Sequence, residues 1–214
     1  MARLNEVLDY KSKYTYENGV LKNKLNITSQ EELEKAEKII TTVKLAELFK
    51  MPIDNNKFDA EHYYSIHKYL FDGIYDFAGQ VRNDNIYKSY SFCLPQYIHP
   101  CLTDTLKKAN KDMYNISNEE ELIDFLAYYF IELDTIHPFR EGNGRTLREF
   151  LRQYVLRIDK IIDFGEYYLD YDNIPDRDTY ITAVRLAATT DNLDALKDIF
   201  RSCLINTKEK THVR

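Results

Sequence analysis

The chain changes character at residues 137–148, which read His-Pro-Phe-Arg-Glu-Gly-Asn-Gly-Arg-Thr-Leu-Arg. Before this stretch, apolar residues from Leu122 to Ile136 recur at helical intervals and cover more than a narrow face, which is typical of a helix buried in a core. From Arg145 a second apolar series follows and continues to Ile158. The sequence therefore predicts a central helix–loop–helix in which the quoted stretch forms the loop.

Capping boxes and periodicity predict the other helices. Ser29 and Ser117 each precede a glutamate by three residues, which is the capping-box spacing at a helix start. The first of these helices ends at Met51-Pro52, and its predicted apolar positions are Leu33, Ala36, Ile40, Val43 and Leu48. Further helices are predicted from about Asp59, near 100–114, over 178–190 and over 192–205.

One segment lacks a helical period. Residues at about 80–95 mix β-branched, aromatic and polar side chains, which predicts a short β-hairpin. The fold class is therefore all-α with one small hairpin. We expect an arm at 1–28 packed on the domain, a domain at 29–205, and a frayed polar tail at 206–214.

Composition excludes several classes of protein. The 214 residues suit one domain, and 29 basic against 35 acidic residues give a net charge of −6, which argues against a dedicated nucleic-acid-binding protein. No apolar run approaches the roughly 20 residues of a membrane helix, and the first residues lack the apolar core of a signal peptide. Three cysteines without metal-like spacing fit a reducing compartment, so we expect a cytoplasmic protein without membrane or direct nucleic-acid partners.

The loop at 137–148 has the composition of an anion site. Gly142 and Gly144 flank Asn143 just before a helix begins, so backbone N–H groups converge at a positive helix end. Asn143 is predicted either to cap this helix or to donate its amide to a phosphate oxygen. Arg145 and Arg148 are three residues apart and share a helix face, which suits a polyphosphate.

Two further residues of the loop add chemistry. A carboxylate beside phosphates is useful when Mg²⁺ lies between them, so Glu141 is predicted to hold that ion. His137 is the general base of the group at neutral pH. The histidines at 62 and 67 are predicted to have surface or core roles because their spacing does not suit a metal pair.

The stretch resembles the Fic family motif, H-P-F-x-[D/E]-G-N-G-R-x-x-R, at every specified position. The resemblance implies that the chain folds as a helical bundle. It also implies that the protein transfers AMP from ATP to a Tyr, Thr or Ser hydroxyl of a target protein. His137 would take the hydroxyl proton, and Glu141 would hold Mg²⁺ against the α- and β-phosphates. The loop from Gly142 to Gly144 would form the anion hole, and Arg145 and Arg148 would bind the outer phosphates.

The hairpin resembles the family's flap, which pairs with an extended segment of the target. In this reading Lys88 and Ser89 border the nucleotide, while Ile86 and Phe92 contact the target. One branch of the family transfers phosphate and has a lysine where this chain has Gly144, so Gly144 favours AMP transfer.

The resemblance also bears on regulation and partners. The inhibitory motif [S/T]-x-x-x-E-[G/N] is incomplete at Thr28–Glu32 and at Ser117–Glu121, so we expect a small antitoxin to supply the inhibitory glutamate to Arg148. Type II topoisomerase subunits are the targets that the resemblance implies. Two alternatives stay open: a non-catalytic nucleotide-sensing or protein-binding module, and transfer of another phosphate-linked group.

Overall fold

The computed structural model describes residues 13–53, 58–87, 90–162 and 167–207. Helices form because apolar side chains at spacings of three and four share one face, which each helix buries against its neighbours. Two short strands, one after the fifth helix and one after the seventh, pair with each other. Within the described residues the elements are α1 (Gln30–Lys50), α2 (Ala60–Phe71), α3 (Ile98–Asp112), α4 (Glu119–Ile136), α5 (Asn143–Ile162), β1 (Tyr167–Leu169), α6 (Arg177–Thr190), α7 (Asp194–Cys203) and β2 (Leu204–Asn206).

Helix α4 lies at the centre of the molecule, as its broad apolar stripe predicts. It packs against α3, α5, α6 and α7. Leu122 and Leu126 have no exposed surface, and Phe130 is 1% exposed. The all-α class with a central helix–loop–helix is thereby confirmed, and the loop after α4 is anchored at the core.

The helix caps follow the sequence with one correction. Ser29 accepts a hydrogen bond from the Glu32 amide, as predicted, and Asp59, near which the second helix was predicted to begin, caps α2 in the same way. The cap of α4 is Asn118, one residue later than predicted, because its Oδ1 accepts from the Glu121 amide at 2.9 Å. Ser117 instead donates to the Glu121 carboxylate through its amide and its hydroxyl.

The face of α1 that meets the core also differs from the prediction. The buried row is Leu33, Glu37 and Thr41, spaced by four residues. Val43, predicted to be a core position, is 54% exposed. A polar pair therefore occupies the buried row of this helix, which matters for the site described below.

The β1–β2 sheet was missed by the sequence reading. The two strands are antiparallel, with Tyr167 opposite Asn206 and Leu169 opposite Leu204. The predicted helix over 192–205 therefore ends at Cys203. Asn206, the first residue of the predicted tail, lies in β2 and pairs with Tyr167 of β1, whereas the division into arm, domain and tail stays a prediction.

The predicted hairpin is a flap with one isolated antiparallel bridge, between Tyr87 and Ser91. Arg82, which is 2% exposed, fixes the base of this flap. Its guanidinium donates to the carbonyl oxygens of His137 at 2.7 Å and Cys93 at 2.6 Å. The flap is thereby tied to the loop that follows α4. None of the described helices combines the length and the apolar character needed to cross a bilayer.

Candidate active site

The loop between α4 and α5 is closed by the side chain of Asn143. Its Oδ1 accepts from the Phe139 amide at 2.8 Å, and its Nδ2 donates to the Phe139 carbonyl at 2.7 Å. Asn143 is 5% exposed and is the first residue of α5, two residues before the predicted start at Arg145. Its side-chain amide therefore holds the loop together, while the backbone from Gly142 to Gly144 forms the turn.

Gly142 is required by both conformation and space. Its φ of +81° lies in the left-handed region, which side-chain-bearing residues rarely adopt. A Cβ at this position would lie 2.4 Å from ring carbons of the buried Phe71. The turn can therefore approach α2 this closely only with glycine, and the Gly142 amide donates to Glu141 Oε1 at 2.8 Å.

His137 ends α4 in a left-handed conformation and is 5% exposed. Its Nδ1 lies 3.1 Å from the Asp134 carbonyl oxygen. Because a carbonyl only accepts, Nδ1 carries the proton and the lone pair of the neutral ring lies on Nε2. This is the tautomer that a general base needs.

The flap reaches His137 through Phe92. The Phe92 ring stacks on the imidazole with 3.8 Å between centroids, and Phe92 is 6% exposed. The structure therefore places Phe92 against the predicted base, and its contact with a target stays a prediction. Ile86 is half-buried within the flap, and the predicted nucleotide contacts Lys88 and Ser89 lie outside the described residues.

Glu141 has a carboxylate with one oxygen bound and one oxygen open. Oε1 accepts from the Gly142 amide and from Arg145 Nη2 at 3.4 Å. Within the described residues no hydrogen bond reaches Oε2, and the side chain is 43% exposed. The described residues contain no cluster of three metal-ligating side chains. One open carboxylate oxygen beside a phosphate cradle fits Mg²⁺, which takes one or two carboxylates together with phosphate oxygens and water.

Arg145 is held by a residue that the sequence reading missed. Its guanidinium forms an ion pair with Glu37 on α1 and lies over the Phe71 ring at 4.8 Å. The Tyr75 hydroxyl donates to the other Glu37 oxygen. Burial, followed by this hydrogen bond, raises the pKa of Tyr75, so the phenol remains a donor. No local signal in the sequence singled out Glu37, because the periodicity of α1 placed its inward row at other positions.

Arg148 has different surroundings. It donates to the Tyr180 hydroxyl at 3.4 Å and lies 5.7 Å from the centre of that ring. Within the described part of the chain it forms no ion pair with a carboxylate. Arg145 and Arg148 both line a cavity of about 460 Å³ between α1, α5 and β1. The structure thus brings the two predicted phosphate-binding arginines to one opening.

His67 links the loop to the base of the flap. It has no exposed surface, its Nε2 lies 2.9 Å from the Glu141 carbonyl, and its Nδ1 accepts from the Gly79 amide at 2.8 Å. The ring stacks on Phe139 with 3.7 Å between centroids. Burial lowers the pKa of His67 to about 3, so the ring is neutral and Nε2 donates to Glu141. The predicted core role for this histidine therefore includes orienting the loop.

Comparisons with known proteins agree with this geometry. The sequence model of the Fic/DOC family matches residues 57–155, which include α2, α4 and the whole loop. Protein adenylyltransferase VbhT of Bartonella schoenbuchensis is 32% identical over 189 residues, 86% of this chain and 37% of its own length. The chain thus spans just over a third of that relative. Probable protein adenylyltransferase y4lH of Sinorhizobium fredii is 31% identical over 135 residues, 62% of this chain and 68% of its own length.

Solved structures share the fold. BepC of Bartonella tribocorum, crystallised with bound AMPPNP, superposes with a TM-score of 0.76 at 23% identity, covering 91% of this chain and 97% of that one. The common fold, the complete loop motif and the related sequences show that this chain belongs to the Fic/DOC family.

Proposed function

We propose that this chain is a protein adenylyltransferase, which moves AMP from ATP to a Tyr, Thr or Ser hydroxyl of a target protein. The observation that carries the proposal is the contact of His137 Nδ1 with the Asp134 carbonyl, which leaves the Nε2 lone pair open in the same loop as the glycine turn and two arginines. VbhT and y4lH, the relatives compared above, are named as protein adenylyltransferases. Family membership and the site geometry therefore favour the same reaction.

The chain's residues divide the reaction between them. The target's hydroxyl oxygen forms a bond to the α-phosphorus, the bond from that phosphorus to the pyrophosphate oxygen breaks, and His137 Nε2 takes the hydroxyl proton. Backbone groups from Gly142 to Gly144 orient the phosphates, and Arg145 and Arg148 bind the outer ones. Most of the rate enhancement then comes from positioning and charge stabilisation.

Glu141 is the residue that would hold Mg²⁺, because its open Oε2 lies at the edge of the cradle. When bound, the ion supplies positive charge against the α- and β-phosphates. Gly144 favours AMP transfer over phosphate transfer, since the phosphate-transferring branch has lysine at that place.

A surface on α1 supports inhibition by a separate antitoxin. Ile39 and Val43, which are one turn apart, are 67% and 54% exposed, and Phe49, further along α1, is 63% exposed, so the three form an exposed apolar row. Phe49 also lines the cavity that contains Arg148. An antitoxin helix with an apolar face would cover this row and bring a glutamate to Arg148, which has no ion pair of its own among the described residues.

Transfer of label from ATP tests the reaction. The protein is incubated with Mg²⁺, ATP labelled in its α-phosphate, and purified type II topoisomerase subunits as the first candidate targets. We expect label on a target or on the protein itself, an AMP adduct by mass spectrometry, and loss of both in His137→Ala. His99→Ala is the matched control because His99 is exposed and contacts Tyr64, outside the loop.

Three outcomes would contradict this proposal. Equal labelling by the parent and by His137→Ala would exclude His137 as the general base. An adduct with the mass of phosphate would identify a different transfer. Tight ATP binding without transfer to any protein in a cell lysate would identify a nucleotide-binding module.

The neighbouring reading frame tests regulation. We expect a short frame that encodes Ser/Thr-x-x-x-Glu-Gly, whose product binds this chain and stops transfer. Val43→Glu should weaken that binding because it places a charge in the exposed row, whereas Ile181→Glu, at a residue of α6 that is 48% exposed, should not. An active chain with no such partner would contradict inhibition by an antitoxin.

A further inference from the structure

A carboxylate lies beside His137 that the loop motif does not include. Asp134 is one turn earlier on α4, and its Oδ1 is 3.8 Å from His137 Nδ1. Both side chains are buried, at 11% exposure for Asp134 and 6% for His137. The Asp134 backbone carbonyl is also the acceptor for Nδ1, so one residue contributes both a hydrogen bond and a charge to the imidazole.

The flap holds this carboxylate in place. The Tyr90 hydroxyl donates to Asp134 Oδ2. Burial and the nearby Asp134 charge raise the pKa of Tyr90, so the hydroxyl keeps its proton and remains a donor. Tyr90 packs edge-on against Phe92, which stacks on the imidazole. The segment from Tyr90 to Phe92 therefore contacts both members of the pair.

Arg82 disfavours a positive charge on His137, and the two phenols that lie near Asp134 remain neutral. Arg82 donates to the His137 carbonyl at 2.7 Å and carries a positive charge of its own. Tyr63 on α2 and Tyr180 on α6 are phenols whose pKa values are raised, mainly by burial. Burial also disfavours the charged form of the imidazole itself. Among these groups Asp134 is the one that favours an imidazolium.

We infer that Asp134, held by Tyr90, is the positioning residue that makes His137 an effective base, because its carboxylate stabilises the imidazolium formed when Nε2 accepts the target's proton. The proton moves from the hydroxyl oxygen to Nε2, while Nδ1–H stays on the ring and Asp134 remains ionised. This inference rests on the proposed function, since it explains how that site binds the proton. The logic is that of other carboxylate–imidazole pairs, in which the carboxylate orients and stabilises the ring.

Titration of the imidazole by NMR tests the inference without any need for activity. We expect Asp134→Asn to lower the pKa of His137 by about one unit, a tenfold change in proton affinity, because the opposite charge within 4 Å is lost. Asp134→Glu should restore most of the shift. Asp124→Asn is the matched control, since this residue of α4 is 57% exposed and pairs with Lys197. An unchanged pKa of His137 in Asp134→Asn overturns the inference.

A second measurement uses the unaltered protein and so does not depend on how a variant folds. Because the two groups interact, the Asp134 carboxyl carbon signal should move at the pH where His137 titrates. Tyr90→Phe should raise the pKa of Asp134, because a donor to the charged form is lost. A carboxyl signal that does not respond to His137 would contradict the pairing.

Kinetics add the functional readout. In Asp134→Asn the acidic limb of the kcat/KM profile should move to lower pH by the same amount as the NMR shift, while KM for ATP stays unchanged. An unmoved acidic limb would contradict the role of Asp134 in the reaction. Failure of the parent protein to transfer AMP would contradict the proposed function instead, and would leave the NMR result standing.

Discussion

Arg145 and Arg148 lie three residues apart on α5, yet their guanidinium groups have opposite surroundings. Arg145 pairs with Glu37 and Glu141 and lies over Phe71. Arg148 contacts the Tyr180 hydroxyl and forms no ion pair among the described residues. Both side chains line the same cavity, but the charge of Arg145 is balanced by carboxylates, whereas Arg148 has no carboxylate partner among those residues.

This difference gives the two arginines of one motif different roles: Arg145 mostly stabilises the loop, and Arg148 mostly recognises the ligand. An arginine between two carboxylates adds little net positive charge, so we expect Arg145 to contribute less to phosphate binding than Arg148, while it also joins α1 to the loop and orients Glu141. An arginine without a carboxylate partner keeps its charge for a phosphate, or for the glutamate of an inhibitor. The following predictions test this division, beginning with the largest expected effect.

Gly142→Ala should have the largest effect on stability, because it disturbs the packing of the loop against α2. The substitution places a Cβ 2.4 Å from the Phe71 ring at a positive φ, and we expect the free energy of unfolding to fall by about 4 kcal/mol. Gly144→Ala is the control, because there the added Cβ meets only the flexible end of the Arg148 side chain at 3.3 Å. Urea unfolding measures both, and equal losses would contradict the comparison.

Glu37→Ala should destabilise the protein by about 3 kcal/mol, because Arg145 then keeps only its longer contact with Glu141 and the Tyr75 hydroxyl loses its acceptor. Adding Arg145→Ala should cost less than the sum of the two single changes, since they remove the same contact. The same unfolding assay tests this. Additive losses would show that Glu37 and Arg145 do not act as a pair.

Arg148→Ala should leave stability within about 1 kcal/mol of the parent, because no ion pair is broken. Its affinity for ATP should fall about 30-fold, equivalent to the loss of one charge-assisted hydrogen bond of about 2 kcal/mol. Isothermal titration calorimetry measures the affinity. Antitoxin binding should weaken in the same variant. Unchanged ATP affinity would assign recognition to another group.

Acid should lower the free energy of unfolding through His67, which holds the loop from α2. Its folded-state pKa of about 3 lies below the unfolded value of about 6.5, so the unfolded chain binds more protons and stability falls as the pH drops below that value. Between pH 6 and pH 5 we expect a loss of about 1 kcal/mol from this residue. His67→Phe should remove that part of the pH slope, and a variant with the parent's slope would exclude His67 as its source.

Local rules predicted the loop and most helix ends. Ser29 and Asp59 cap their helices through contacts three residues away, and the glycines on either side of Asn143 indicated the turn of the loop. Asn118 displaced Ser117 by one position because both side chains suit a cap. These features depend on neighbouring residues, which is why the sequence alone was sufficient.

Contacts between distant parts of the chain were not predictable in this way. Glu37 and Arg145 are 108 residues apart, and β1 pairs with β2 across two intervening helices. Propensity and periodicity describe a segment of about a dozen residues and carry no information on its partner. The flap was predicted as a hairpin, yet within its described residues one bridge forms, and tertiary contacts through Arg82 fix its base.

The ring closed by Asn143 has a consequence for how ATP arrives. Because the side-chain amide already satisfies both backbone groups of Phe139, the turn keeps its shape before any nucleotide binds. Little conformational entropy of the loop is then lost on binding, so little opposes the new contacts with the nucleotide. Nucleotide association should therefore resemble docking into a rigid receptor, with a rate set by encounter and a binding entropy free of loop folding.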